Sequence, residues 1–170
     1  MTQSFDIAVI GATGTVGETL VQVLEERDFP VGNLHLLASS EQLVFFAAGP
    51  AVTLSFASRA TAAGCSVIDL SGALPADQAP QVVPEANAHL LDGMKTPFQV
   101  SSPSPSATTL AVVLAPLLGI IDLQRINLTA CLAVSAQGRE AVTELARQTA
   151  ELLNVRPLEP SFFDRQMAFN

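Results

Sequence analysis

The chain has 170 residues, 49% of them apolar, and a net charge of −8 from 8 Lys and Arg against 16 Asp and Glu. That supports one good core and one domain by default. It argues against a duplex nucleic-acid partner, because phosphate binding needs clustered Lys and Arg, and no apolar run approaches the roughly 20 residues of a membrane span.

Residues 1–6 carry no basic stretch, so no signal peptide is expected and the expected location is cytoplasmic. A first buried strand is expected over Phe5–Ile10. Val16, Leu20, Val23 and Leu24 recur at helical spacing and predict a helix over Thr15–Arg27. Strands are expected at Asn33–Ala38 and Leu43–Ala47, then a helix over Ala51–Ala63 ended by Gly64. Ser66–Asp69 reads as a strand running into a Ser71-Gly72 turn, and Phe98–Ser101 as another. Pro105 suits the first turn of a helix reaching about Leu118, with Ser104 as its N-cap. Arg125–Val134 is the most strand-like segment of all, and Gly138–Leu153 is a helix with its charges on one face. The tail from Arg156 to Asn170 has no strong period. This alternation predicts an α/β fold with a doubly wound, mostly parallel Rossmann-type sheet.

One link resists that topology. Ser39 to Gln42 alone separate the second and third strands, whereas a parallel crossover needs about a dozen residues. Either the sheet is mixed there, or residues are absent at the join of Gln42 and Leu43. Cys65 and Cys131 lie in apolar, strand-like surroundings and read as two buried thiols, although a disulfide is possible on count.

Gly11, Gly14 and Gly17 form a G-x-x-G-x-x-G loop between a strand and a helix. Glycines there allow positive φ and close backbone approach, and the helix start offers free N–H groups to a phosphate. The loop is read as a nucleotide site, with a purely structural turn as the alternative. Candidate cofactor-binding residues are Gly11, Thr13, Gly14, Thr15, Val16, Gly17, Ser39, Ser40, Ala48 and Gly49. NAD or NADP is the expected cofactor, and no metal site is expected.

Several segments carry a resemblance. Ala8 through Gly17, Leu24 through Val31, Leu37-Ala38-Ser39-Ser40, Phe45 through Gly49, Val67-Ile68-Asp69, Val83-Pro84-Glu85-Ala86-Asn87, Ala133-Val134-Ser135 and Arg165 through Asn170 closely resemble aspartate-semialdehyde dehydrogenase. Within that family the chain looks like the diverged Usg-type homologues. The resemblance implies a cofactor domain, here 1–154, and a linker at 155–170 into a second α+β domain that is absent from this chain. It also implies a homodimer formed through that second domain and a place in amino-acid biosynthesis. The family's enzymes reduce an acyl phosphate with NADPH through a cysteine thioester.

The departures bear on chemistry. The family nucleophile motif Asn-Pro-Asn-Cys-Ser-Thr has Ser102-Pro103-Ser104-Pro105-Ser106-Ala107 as its counterpart, so Pro105 stands at the cysteine position. The substrate-orienting glutamine aligns with Leu132, and the substrate-phosphate arginine with Pro75. No catalytic residue is therefore assigned. Ser104 and Ser106 would need an adjacent base, and His35 and His89 read as surface or loop histidines. Cys131 reads as an inert strand cysteine beside the Leu132 position. Glu41 stands near the arginine that holds the NADP 2′-phosphate and favours NAD, unless it is a solvated loop residue. The residues leave three functions open: a catalytically inactive nucleotide-binding homologue, an oxidoreductase on another aldehyde or oxo substrate, and an interaction protein.

Overall fold

In the computed structural model, residues 4–35, 42–159 and 161–170 are described. They fall into two compact units, 1–127 and 128–170.

The first unit is built on five strands: β1 (Phe5–Ile10), β2 (Val31–His35), β3 (Leu43–Phe46), β4 (Ser66–Asp69) and β5 (Gln99–Ser101). Their order is β2-β1-β3-β4-β5, and every pair is parallel. The sheet is thus not mixed at β2 and β3, which flank β1 on opposite sides. Residues 36–41 of their connection lie outside the described residues.

Alternation along β1 sorts side chains to the two sheet faces. Ile7 and Val9 join Phe45 on one face, where Leu20, Val21 and Leu24 of helix α1 (Thr15–Glu26) pack against them. Ala8 joins Val44, Phe46 and Val67 on the other, against Val52, Ala57 and Ala60 of helix α2 (Pro50–Ala62). Helices on both faces are what a parallel sheet of apolar strands needs to be covered. A short helix, α3 (Pro84–Asn87), follows β4. The Asn87 side chain accepts from Val83 N (2.7 Å) and donates to Gln81 O (2.9 Å), so the Val-Pro-Glu-Ala-Asn motif folds its own loop beside β5. Helix α4 (Pro105–Leu114) then continues as a 3-10 turn over Ala115–Leu117.

The expected strand at Arg125–Val134 is not formed. Described residues up to Ala133 have no ladder partner, and Ile126, Leu128 and Leu132 are exposed. A period of two marks a chain that can be a strand; hydrogen bonds to a neighbour make it one. Cys131 consequently is exposed, not buried, while Cys65 is buried as expected, and no disulfide joins them.

The second unit centres on helix α5 (Arg139–Leu153). Two of its buried polar side chains hold the aperiodic tail. Gln148 Oε1 accepts from Met167 N (2.8 Å) and Ala168 N (3.3 Å). Glu144 accepts from Ser161 N and Ser161 Oγ and pairs with Arg147 at 2.8 Å.

Candidate functional site

The loops of interest all leave the C-terminal ends of strands, so they share one edge of the sheet. The β1–α1 loop is Gly11–Gly14, the β3–α2 turn is Ala47–Gly49, the turn after β4 starts at Leu70, and Ser102–Ser104 follows β5. The strand order reverses between β1 and β3, and ligands of open α/β sheets bind in the crevice at such a switch point.

The glycine loop is built by steric necessity at two positions. Gly11 has φ +89°, and a Cβ there would lie 2.7 Å from Ala48 N. A Cβ on Gly17 would lie 2.2 Å from Gly11 O. The loop therefore packs on the Ala47–Gly49 turn, and α1 packs on the loop. Gly14 is the N-cap of α1 with no side-chain cap, so the first N–H groups of the helix stay available. Thr13, Thr15 and Val16 are exposed around it, Gly11 and Gly14 are half-buried, and Gly17 is buried. Across the turn, Ala48 is exposed and Gly49 half-buried. Glu18 in the first turn of α1 opposes an anion, whereas α2 has no acidic residue in its first turn. Ser39, Ser40 and Glu41 lie outside the described residues.

At the far end of the edge, three strand spacings of about 4.8 Å from β1, Pro105 opens α4. Ser104 Oγ caps the helix by accepting from Ala107 N at 3.4 Å, as the sequence predicts. Neither Ser104 nor Ser106 hydrogen-bonds to a histidine or carboxylate among the described residues. Pro75 is exposed and opens a turn, its carbonyl accepting from Gln78 N and Ala79 N. Leu132 belongs to the second unit and is exposed. His89 is exposed in the 3-10 turn Ala88–Leu91, and His35 ends β2. Among the described residues, no group of three or more His, Cys, Asp or Glu gathers as a metal site. No helix among them is long and apolar enough to cross a membrane.

Local periodicity does not register the polar group beneath this edge. Asp69 ends β4 with 0% exposure. Its Oδ1 accepts from Ser71 N (2.8 Å) and Ser71 Oγ (2.6 Å), and its Oδ2 from Leu74 N (3.0 Å) and Ser101 Oγ (3.3 Å). Burial alone pushes its carboxyl up, but the hydrogen bonds from Ser71, Leu74 and Ala73 outweigh this and hold it below the usual carboxylate range. A second concavity of about 660 Å³ lies in the other unit, between α5 and the tail. Its Arg147 is already engaged by Glu144 and Glu151.

Comparison with known proteins follows the same map. Residues 6–43 and 41–94 match the semialdehyde dehydrogenase NAD-binding domain, and residues 114–170 match the semialdehyde dehydrogenase dimerisation domain. The chain is 52% identical to a USG-1 protein homolog of Azotobacter vinelandii, over all of this chain and 58% of that protein. It is 35% identical to aspartate-semialdehyde dehydrogenase 2 of Vibrio cholerae, again over all of this chain and 58% of that protein. Its backbone superposes with a TM-score of 0.91 on a probable aspartate-semialdehyde dehydrogenase of Pseudomonas aeruginosa, at 52% identity, covering 99% of this chain and 58% of that one. The chain thus spans little more than half the length of these relatives. The alignment to the Azotobacter protein extends over 196 positions against 170 residues here, and the NAD-binding match breaks at 41–43, at the short link between β2 and β3. On these matches, and on the glycine loop, sheet order and edge geometry that accompany them, the chain belongs to the semialdehyde dehydrogenase family.

Proposed function

We propose that this chain is a nucleotide-binding semialdehyde dehydrogenase homologue that does not carry out the family's NADPH-dependent reduction of an acyl phosphate. The observation that carries the reading is Pro105 at the first position of α4, where the family motif places its thiol. Proline has no nucleophile. Ser104 Oγ serves as a helix cap, and among the described residues no histidine or carboxylate hydrogen-bonds to Ser106, so neither serine has an activating base there. The groups that would orient the substrate and hold its phosphate are replaced by Leu132 and Pro75, neither of which can donate a side-chain hydrogen bond. Cys131 sits on exposed, unpaired chain, which supplies no fixed geometry for a thioester.

Nucleotide binding is supported by the opposite pattern. Gly11 and Gly17 fill positions that admit no Cβ, and the N-terminus of α1 opens onto the crevice. NAD should bind at least as tightly as NADP because of Glu41. A homodimer formed through the family's second domain and a place in amino-acid biosynthesis belong to this same reading.

The test is calorimetric titration with NAD and NADP, alongside an assay of nicotinamide oxidation with acyl-phosphate and simple carbonyl substrates. Expected are binding of nucleotide and no acyl-phosphate turnover. Reduction of the acyl phosphate on the order of 10 per second overturns the inactive reading. Turnover of another carbonyl substrate establishes the oxidoreductase reading instead. No binding of either nucleotide at millimolar concentration favours an interaction protein. NADP binding tenfold tighter than NAD refutes the preference.

A further inference from the structure

Asp69 is a buried carboxylate whose hydrogen-bond donors are all neutral: the backbone N–H groups of Ser71, Ala73 and Leu74 and two serine hydroxyls. Burying a charge this way is unfavourable unless its acceptor sites are filled. An asparagine could not replace it, because its amide nitrogen would face either Ser71 or Leu74 donor to donor. The carboxylate is needed as a double acceptor, one oxygen for Ser71 and the other for Leu74 and Ser101.

The network does not stop at that turn. Ser71 Oγ lies 3.0 Å from Thr53 Oγ1, in α2. Thr53 is fully buried, and its Oγ1 lies 3.2 Å from Gly49 O. Ser71 has one hydroxyl proton, and the 2.6 Å contact assigns it to Asp69. The Thr53 hydroxyl then donates to Ser71 Oγ, while the Thr53 N–H, 3.2 Å from Gly49 O, holds that carbonyl. Gly49 is the N-cap of α2 at φ +91°, and a Cβ there would meet nothing within 4 Å, so this turn faces open crevice. Its neighbour Ala48 is the backbone on which Gly11 rests. A continuous run of contacts therefore leads from the end of β4 to the glycine loop.

We propose that Asp69, Ser71 and Thr53 are positioning residues for the nucleotide: they fix the Ala47–Gly49 turn, and through it Gly11, at the separation the pyrophosphate needs. This rests on the nucleotide-binding reading above. Asp69 itself touches no ligand; its effect passes through Ser71 and Thr53.

The experiment is a double-variant cycle read in nucleotide affinity. Thr53→Val keeps the shape and removes the hydroxyl; Ser71→Ala removes the middle of the run. Each should raise the Kd for NAD about fivefold to tenfold, the size of one net hydrogen bond at about 1.4 kcal/mol per decade. The double variant should cost little more than either single one, because both cut the same connection. Thr53→Ser should restore wild-type affinity. Thermal melting on the wild type and all four variants separates loss of fold from loss of positioning. Wild-type affinity in both single variants, or fully additive losses, overturns the coupling while leaving nucleotide binding intact. Failure of the wild-type protein to bind NAD or NADP at all overturns the nucleotide reading and the coupling together.

Discussion

Replacing Gln148 with Leu should release the tail around Met167 and Ala168 from α5. Gln148 has 0% exposure, and its one side chain makes four hydrogen bonds. Its carbonyl oxygen accepts from Met167 N and Ala168 N, and its amide donates to Glu144 Oε1 at 2.9 Å and to Arg165 O at 3.4 Å. Leucine has similar bulk, so the cost is polar. Ala168 is buried, and an unpaired buried N–H costs about 1–3 kcal/mol. Met167 is half-buried, and water recovers part of its bond. The sum is roughly 2–4 kcal/mol, large against the marginal stability of any domain. The assay is amide hydrogen exchange at Met167 and Ala168, with denaturant unfolding in parallel. Both amides should lose protection even where α5 stays helical. Wild-type protection of these two amides in the Leu variant would show that backbone packing, and not the Gln148 carboxamide, holds the tail, and would refute the reasoning.

Acid should loosen the same contact. The Gln148 hydrogen bond first, then Arg147 and Ser161, hold the Glu144 carboxyl down to about 2 against the burial that pushes it up. A depressed carboxyl stabilises above its ordinary value near 4.5, and that contribution fades as pH falls towards about 2. Ser161 amide protection followed across this window should decline, and a flat profile contradicts the pairing. Ser104→Ala should cost about 0.5–1 kcal/mol, at the low end for a cap because the bond is long and exposed, as read by denaturant melts. Pro105→Cys should lower stability by about 0.4–1 kcal/mol by freeing the unfolded chain. It should not restore acyl-phosphate reduction, since Leu132 and Pro75 remain; nicotinamide-linked turnover in that variant would show that the nucleophile alone was missing.

Local periodicity carried much of the fold. Ser66–Asp69 is a strand at the expected residues, and the α2, α4 and α5 starts lie within a residue of expectation, because Gly49, Ser104 and Gly138 mark them. Gly11 and Gly17 were legible because close approach leaves only one residue type possible. What the sequence hid is long-range. Asp69 meets Ser101 32 residues away, and Gln148 reaches Ala168 20 residues on. No window-based period records such pairs. The reading of 125–134 failed for the complementary reason. Ile126, Leu128 and Leu132 alternate correctly, but a strand is a property of two chains of backbone, and no described residue supplies the second.

Pro105 and Pro75 show why the chemistry and the scaffold can part. The first position of a helix favours proline: its fixed φ suits the turn, and its missing N–H had no partner there anyway. A thiol at the same position gains something else, a positive helix terminus that favours the thiolate. One backbone geometry can serve either a stable helix start or a nucleophile, and Pro105 takes the first. Pro75 likewise opens a turn, its carbonyl accepting from Gln78 N and Ala79 N, at the position the resemblance aligns with the substrate-phosphate arginine. Neither replacement touches the glycine loop, where an added Cβ at Gly11 or Gly17 would meet backbone atoms within 3 Å. The steric demands of the glycine loop thus stand independently of Pro105 and Pro75, so the proposed loss of the reaction leaves the proposed nucleotide site in place.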